Sequence, residues 1–172
     1  MQTFLPYAGF AATAAVLDDR RLGKQRVEAL QIVRALTRPR YGWKHHPAVR
    51  MWEGRLEALG RYGLTVCAEW VDRGYADTCA ATIVTDLAAA GVTGIATEPD
   101  LVAAGLMPSW LGDQDFHASH QAALVRKDAG HYAARFPGVE PELPYVWPVA
   151  ARVKAGSRSD AAPPLRSPRL SP

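Results

Sequence analysis

The chain has no apolar run long enough to cross a membrane. Among its 172 residues, no stretch approaches the ~20 consecutive apolar residues that a membrane-spanning helix needs. Its start, MQTFLPYAGF, also lacks the basic segment and the small-residue cleavage site of a secretory signal peptide. We therefore expect a cytoplasmic protein that has no membrane partner.

Cysteine is scarce, with only Cys67 and Cys79 in the whole sequence. Two cysteines cannot form the disulfide framework of a small secreted domain, and by themselves they cannot complete a zinc site. Cys67 also falls on the apolar face of a predicted helix. We interpret both as reduced thiols of the core, where cysteine behaves as a small apolar residue.

Acidic residues are almost absent from residues 20–50. This segment contains nine Lys or Arg residues and a single carboxylate, Glu28. From residue 151 onward there are five basic residues and one acidic residue, while the rest of the chain has six basic and fifteen acidic residues. The net charge of +3 therefore conceals a basic segment and a basic tail on an acidic body. Such concentrated positive charge is typical of proteins that bind a polyanion.

The spacing of apolar residues predicts three main helices. The first covers about Asp19–Thr37 and is followed by Pro39, which stops it. The second is a longer helix over residues 47–74, opened by a proline and ended by a glycine. The third runs through FHASHQAALVRK and begins near Asp113 or Asp115.

Shorter segments connect these helices. Residues 1–13 are predicted to form an irregular or extended arm, because Pro6 and Gly9 interrupt regular structure. Residues 80–105 are Ala-rich with glycine and proline breaks, which predicts two short helices, and DAGHYAARF predicts another. No two segments alternate convincingly enough to predict a sheet.

The length suits one domain with a real core and is too short for two. We expect a compact all-α domain over residues 1–150, with about three main helices plus short helices and irregular segments. Residues 151–172 have a basic Pro, Ser and Ala composition without an apolar face, which predicts a disordered tail. Nothing indicates an extended coiled coil, and we expect a monomer.

Glu28 lies at the edge of the cationic face of the first long helix. At 100° per residue, Arg20, Lys24 and Arg34 lie opposite the apolar arc, and Glu28 sits near its boundary with Arg21 beside it. These surroundings favour the ionised carboxylate, which suits a permanent anion better than a general acid. The alternative is an ordinary surface pair, because Lys24 and Glu28 have the i,i+4 spacing of helical ion pairs.

Aromatic residues and histidines are interleaved with the cations of residues 20–50, and this favours phosphate contact over a merely solvated surface. Tyr41 and Trp43 are candidates for stacking on a base, although packing within the protein explains them equally well. The predicted DNA-binding residues are Arg20, Arg21, Lys24, Arg26, Arg34, Arg38, Arg40, Lys44, His45, His46 and Arg50.

The histidines offer a rival hypothesis, a metal-dependent hydrolase. His45 and His46 precede the second helix, and His117 and His120 are three residues apart on the third. The two pairs could hold a metal ion if the fold brought them together. Because His117 and His120 have no Glu or Cys partner motif, structural roles are the commoner explanation, and we expect no metal site.

The long helices resemble those of the pyrimidine-dimer DNA glycosylase/AP lyase family, the phage-type endonuclease V. The resemblance rests on LDDRRLGKQRVEAL, which contains Glu28, and on AVRMWEGRLEALGRYGLTVCAEWVDRGY, and continues loosely through FHASHQAALVRK. It covers residues 15–75 well and residues 105–135 weakly. It implies a compact, mostly helical, metal-free enzyme that binds double-stranded DNA without a small-molecule cofactor and is nucleoid-associated when bound.

The resemblance also implies the catalytic residues. Family enzymes attack C1′ of a damaged nucleotide with the N-terminal α-amine and cleave the strand by β-elimination through a Schiff base, and their catalytic Glu corresponds to Glu28. An α-amine, with a pKa of ~7.7–8.0 against ~10.4 for lysine, retains far more free amine at neutral pH. Family enzymes expose a small residue when the initiator Met is removed, whereas Gln2 is bulky and should hinder that removal. The amine would then belong to Met1 rather than to Gln2.

The sequence departs from the family pattern near the Glu and at the N-terminus. Family arginines immediately before the Glu and three residues after it correspond to Val27 and Gln31, and Thr3 stands where another arginine is expected. We therefore expect a DNA-repair glycosylase and AP lyase for damaged or modified bases, without assigning pyrimidine dimers as its lesion. The alternative is a DNA- or RNA-binding helical module without catalysis.

Overall fold

A computed structural model describes residues 1–148 and confirms the all-α prediction, since this part of the chain contains helices and no strand. The predicted tail lies outside the described residues. None of the described helices combines the length and apolar character that a membrane crossing requires. The helices are α1 Phe10–Val16, α2 Asp19–Thr37, α3 Pro47–Arg50, α4 Leu56–Asp72, α5 Cys79–Ala89, α6 Glu98–Ala103, α7 Gln114–Lys127 and α8 Ala129–Tyr132.

The centre of the fold is the packing of α2 against α4 and α5. Asp18 caps the start of α2 by accepting the Arg21 backbone N–H, and the helix ends just before Pro39, as predicted. Gly23 allows a close approach where the two long helices meet, because a Cβ there would lie 3.0 Å from the Trp70 ring. The cost of a mid-helix glycine is therefore offset by close packing.

The prediction of one continuous helix over residues 47–74 was wrong. The chain forms α3, then a turn over residues 51–54, and only then α4. Gly54 adopts a φ of 74°, in the left-handed region that glycine populates without steric cost, and so it ends the helical path. The break also turns Trp52 fully into the core, where its ring lies 5.7 Å from Tyr62 and 5.2 Å from Trp110.

The prediction of an irregular arm holds for residues 1–9 but not for the residues after them. Gly9 is the N-cap of α1 and supplies no side-chain hydrogen bond. The carboxylate of Glu98 instead accepts the Phe10 N–H at 3.1 and 3.2 Å, from a position 88 residues later in the chain. A helix start stabilised by so distant a partner has no local signal in the sequence.

The remaining elements confirm the predictions. Two short helices, α5 and α6, lie within the Ala-rich region, α7 begins after its N-cap Asp113, and α8 follows it. Cys67 and Cys79 are buried free thiols, as interpreted. A hydrophobic core extends from Phe4 in the arm to Phe136 after α8, so the N-terminal arm belongs to it.

Candidate active site around Gln2 and Glu28

The backbone of the N-terminal arm is held by side chains from other elements. Leu5 is held on both sides by α7: its N–H donates to Nδ1 of His120 at 3.0 Å, and its carbonyl lies 2.8 Å from Nδ1 of His117. Nε2 of His117 accepts the Gly112 N–H at 3.0 Å, so its Nδ1 carries the proton and donates to Leu5. The two histidines therefore act as backbone partners.

Further side chains hold the neighbouring residues of the arm. The Phe4 N–H donates to the Gln25 side chain at 2.9 Å, and the Phe4 carbonyl accepts from the Tyr62 hydroxyl at 3.0 Å. Tyr145 donates to the Thr3 carbonyl at 2.9 Å. Because buried peptide groups must be paired, these contacts fix the path of an arm that has no regular structure of its own.

This fixed path brings the nitrogen of residue 2 to the predicted carboxylate. The Gln2 N–H donates to Oε2 of Glu28 at 3.0 Å, and Nε2 of Gln25 donates to the same oxygen at 3.1 Å. Nζ of Lys24 lies 3.6 Å from Oε1. The i,i+4 pair of Lys24 and Glu28 is therefore present, but the Glu28 side chain is only 7% exposed, so the pair is not confined to the surface.

A cavity of about 300 Å³ opens beside this carboxylate. It combines one buried anion with four basic side chains, three from α2 and Lys127 from the end of α7. Such an arrangement can hold a phosphate close to Glu28 without placing the two anions in contact. The residues that line it are Gln2, Phe4, Arg20, Arg21, Lys24, Gln25, Glu28 and Lys127.

A second cavity of about 300 Å³ lies on the other side of Gln2. Met1 lines it together with the aromatic side chains of Tyr145 and Trp147. Gln2 and Lys127 line both cavities, so the nitrogen of residue 2 lies at the boundary between a cationic space and a partly aromatic one.

Lys127 is a residue of this site that sequence reasoning missed. It follows Arg126 in the last turn of α7, where basic residues commonly complement the helix dipole. A basic residue at a helix end therefore gives no sign of a role in the site. The position of Lys127 beside the cavity becomes apparent only when α7 packs against the arm. Nζ of Lys127 lies 5.8 Å from the centre of the Phe4 ring.

Three predicted DNA-binding residues are ion-paired with acidic residues near or within α5. Arg26 pairs with Asp77 and lies over the Trp70 ring, while Arg34 and Arg38 bind the two oxygens of Asp86 at 2.8 and 2.9 Å. Burial raises the pKa of Asp86, but the hydrogen bonds from both arginines outweigh it and hold the pKa below its usual value. The charge of Arg26 is therefore balanced by Asp77, whereas Arg34 and Arg38 share the single carboxylate of Asp86 and keep one net positive charge between them.

Arg21 is also paired, to Asp18 at 2.7 Å and Asp128 at 3.5 Å, although it still lines the cationic cavity. The other predicted DNA-binding arginines and lysines form no ion pair within the described residues, apart from the Lys24 contact with Glu28. These residues are Arg20, Arg40, Lys44 and Arg50.

The histidines of the basic segment differ from one another. His45 is exposed, whereas Nδ1 of His46 accepts the Ala48 N–H and caps α3. Burial, reinforced by the nearby positive N-terminus, lowers the pKa of His46. His46 is therefore mostly uncharged at neutral pH and adds less positive charge to this surface than the adjacent lysine and arginine residues.

The two candidate stacking residues have different environments. Tyr41 is partly buried against the core, whereas Trp43 is 58% exposed and meets the His46 ring edge-on at 5.8 Å. The accessible ring of Trp43 leaves a base-stacking role open to it, and Tyr41 has the packing role.

The structure does not support the metal hypothesis for the described residues. No three or more His, Cys, Asp or Glu residues of this part of the chain are grouped to hold a metal ion. His117 and His120 bind Leu5 instead, and burial lowers the pKa of His120 to about 3. Their i,i+3 spacing on α7 places both side chains against the backbone of the arm.

Comparison with known proteins agrees with the resemblance seen in the sequence. Residues 1–83 match the family described as pyrimidine dimer DNA glycosylase. No curated protein and no solved structure matches the chain. The matched residues include Gln2, Gln25 and Glu28, whereas α7 and Tyr145 lie beyond them.

Proposed function

We propose, from the match of residues 1–83 to the pyrimidine dimer DNA glycosylase family, that this protein is a DNA glycosylase and AP lyase. It acts on damaged or modified bases in double-stranded DNA through its N-terminal amine. The observation that carries the proposal is the 3.0 Å contact between the nitrogen of Gln2 and Oε2 of Glu28, at the edge of a cationic cavity.

The nucleophile in this proposal is the nitrogen of Gln2. It is a peptide nitrogen while Met1 is attached, and removal of Met1 turns it into an α-amine. The alternative is the amine of an unremoved Met1, which belongs to the second cavity. We assign the reaction to Gln2 because its nitrogen directly contacts the carboxylate and lies beside the cations.

The reaction then follows in balanced steps. The amine attacks C1′, the bond from C1′ to the base breaks, and the base leaves with its electron pair and takes up a proton. Loss of a proton from the nitrogen and opening of the sugar give a Schiff base. Removal of a proton from C2′ expels the 3′ phosphate by β-elimination, and water releases the amine from the product.

Glu28 has two roles in this sequence. As an anion it stabilises the positive charge that develops on the sugar and on the Schiff base. Its oxygens can also accept and return protons during these steps. Because Oε2 is occupied by Gln2 and Gln25, Oε1, which faces Lys24, is the oxygen available to the substrate.

Phosphate binding in this proposal comes from the cations of the cavity. Thr3 is fully buried and its hydroxyl accepts from the Trp52 indole at 3.3 Å, so no side chain from that position reaches DNA. Arg20, Lys24 and Lys127 supply positive charge instead. The target base must leave the stack to expose its C1′, as in other enzymes that act on bases in duplex DNA.

Borohydride trapping on a duplex with one abasic site tests the proposal. We expect a covalent adduct with the wild-type protein, mapped to a peptide that begins with Gln2 and abolished by chemical blocking of the N-terminus. Glu28→Gln should lower strand cleavage by about 100-fold or more, because it removes the anion from the transition state. Glu53→Gln, at an exposed position, is the matched control.

Other outcomes identify what is wrong. An adduct on a peptide that begins with Met1 moves the nucleophile to that residue, and an adduct on a lysine contradicts the N-terminal mechanism. Duplex binding without any adduct favours the alternative, a non-catalytic DNA- or RNA-binding helical module.

A further inference from the structure

We infer that Gln25 is a positioning residue that holds both the nucleophilic nitrogen and the Glu28 carboxylate, an inference that rests on the proposed function. Gln25 is 1% exposed and lies one helical turn before Glu28 on α2. A buried neutral amide beside a reactive pair has no charge to contribute to the reaction. Its effect must come from the hydrogen bonds that it makes.

All the hydrogen-bonding capacity of the Gln25 side chain is used. Nε2 donates to the Gln2 carbonyl at 3.1 Å and to Oε2 of Glu28 at 3.1 Å. Oε1 accepts from the Phe4 N–H at 2.9 Å and lies 2.8 Å from the Tyr62 hydroxyl, whose single proton is shared between this oxygen and the Phe4 carbonyl. A primary amide has two N–H donors and one acceptor oxygen, so both N–H groups and the oxygen of Gln25 have partners.

The partners also fix which way the amide points. The Phe4 N–H can only donate, and the Gln2 carbonyl can only accept. A flipped Gln25 amide would therefore place donor against donor and acceptor against acceptor at a buried site. A single orientation satisfies the arm, α2 and α4 together.

This orientation gives the two Glu28 oxygens different roles. Oε2 receives both the Gln2 N–H and the Gln25 amide, which holds it in place against residue 2. Oε1 is left facing Lys24 and the cavity. Loss of Gln25 frees the carboxylate to turn and leaves the Gln2 carbonyl without this partner, so the nitrogen and the anion both move.

An acidic replacement gives a sharper test of this role than an apolar one. The side chain introduced by Gln25→Glu has nearly the same shape as the amide, but it places a second carboxylate against Glu28 and the Gln2 carbonyl. The repulsion between the two acids favours protonation of one of them. Once protonated, the introduced carboxyl group can donate one hydrogen bond, so acidification should partly restore the positioning in this variant.

Several other charged or titratable groups lie near this position. Arg20, Arg21 and Lys127 line the same cavity, and His46, before α3, is close enough to the N-terminus and Glu28 for both to influence its pKa, so its titration is common to the wild type and the variant. Glu28 and Lys24 belong to α2, Tyr62 to α4, and the N-terminal amine to the arm. Tyr145 lies close by, after α8. Burial raises the pKa of both tyrosines, so neither ionises between pH 5 and pH 8.

The experiment compares trapping rates and duplex affinity for the full chain. Gln25→Met should trap the abasic-site duplex about 100-fold more slowly than the wild type, because a displacement of about 1 Å can cost that factor, while duplex affinity is retained. From pH 8 to pH 5.5, the activity of Gln25→Glu relative to the wild type should rise by about 10-fold. Each pH unit above the pKa changes the protonated fraction of the introduced carboxyl group tenfold, and only the protonated form restores a hydrogen bond. Gln114→Met, exposed at the start of α7, is the matched control.

Two results overturn the inference. One is a Gln25→Met protein that traps at the wild-type rate, and the other is a Gln25→Glu protein whose relative activity is independent of pH. If Gln25→Met does not fold, the pH dependence of Gln25→Glu decides alone. Failure of the wild type to trap overturns the proposed function as well, whereas wild-type trapping with an unaffected Gln25→Met overturns only the role of Gln25.

Discussion

Two histidines of α7 show how side chains that could bind a metal can instead have a structural role. Four histidines suggested a metal site from their spacing, but two of them bind the two polar groups of Leu5. Burial lowers the pKa of His120 and keeps it neutral, since ionisation would place a charge away from water and would remove the Nδ1 acceptor of the Leu5 N–H. The cost of ionising it is measurable as a pH dependence of stability.

We predict that His120 makes the protein less stable in mild acid. Its pKa is lowered from 6.5 to about 3, so between these values the unfolded chain binds a proton that the folded protein does not. The contribution of neutral His120 to the free energy of unfolding is fully present above pH 6.5, and it falls by at most about 1.4 kcal/mol for each pH unit below that value. Denaturant unfolding from pH 7 to pH 4.5 measures this slope.

His120→Phe should lower the slope of the free energy of unfolding against pH by nearly the amount that corresponds to the uptake of one proton. The variant is less stable overall because the Leu5 N–H loses its acceptor. His45→Gln, at an exposed position, should keep the wild-type slope. An unchanged slope in His120→Phe would show that His120 is not the titrating group.

At the scale of elements, α2 has two cationic regions with different partners. Toward its C-terminus, Arg34 and Arg38 balance Asp86 of α5 and help to hold the two helices together. Toward its N-terminus, Arg20 and Lys24 line the cavity with Lys127 of α7. Arginines that are paired inside the protein are less available to phosphates, so we place the proposed DNA footprint at the N-terminal end of α2.

The salt dependence of duplex binding distinguishes these two regions. Lys127→Ala should lower the slope of log K against log salt concentration by about one, because one phosphate contact is lost. Arg34→Ala should leave that slope nearly unchanged and instead destabilise the packing of α2 on α5. Fluorescence anisotropy over a series of salt concentrations measures both slopes, and the opposite ranking would place the footprint on the α5 side.

Local signals predicted α2 and α7 with nearly correct bounds, because apolar residues repeat regularly along α2 and an aspartate caps the start of each helix. The break between α3 and α4 was missed because its cause is conformational. Gly54 interrupts a pattern that the surrounding apolar residues continue. The missed helix α1 begins at a backbone nitrogen that only Glu98 satisfies.

At the scale of the molecule, the N-terminal arm is in contact with residues both inside and beyond the matched region 1–83. Residues 1–83 match a known family, but the arm within them is also held by His117, His120 and Gln121 from α7 and by Tyr145 from the segment after α8. The position of the N-terminal nitrogen is therefore a property of the whole folded chain. A change far beyond the matched region should reach the site.

Tyr145→Phe tests this coupling. It removes the hydroxyl that donates to the Thr3 carbonyl, and we expect a loss of about 1 kcal/mol of stability together with slower borohydride trapping. Tyr75→Phe removes a hydroxyl bound to Asp19 and should trap at the wild-type rate. Chemical denaturation and single-turnover trapping supply the two measurements, and a destabilised Tyr145→Phe protein with unchanged trapping would contradict the coupling.

The sequence by itself determined the helical class, the helices α2 and α7, the concentration of positive charge and the single carboxylate within it, because each depends on local spacing and composition. Only the tertiary structure decided which cations remain available, that Lys127 joins them, and that the nitrogen of residue 2 contacts Glu28. These follow from hydrogen bonds and ion pairs between residues 26 to 142 positions apart, such as Gln2 with Glu28 and Thr3 with Tyr145. No periodic pattern encodes such pairings, since they exist only after the core has brought the arm, α2 and α7 together.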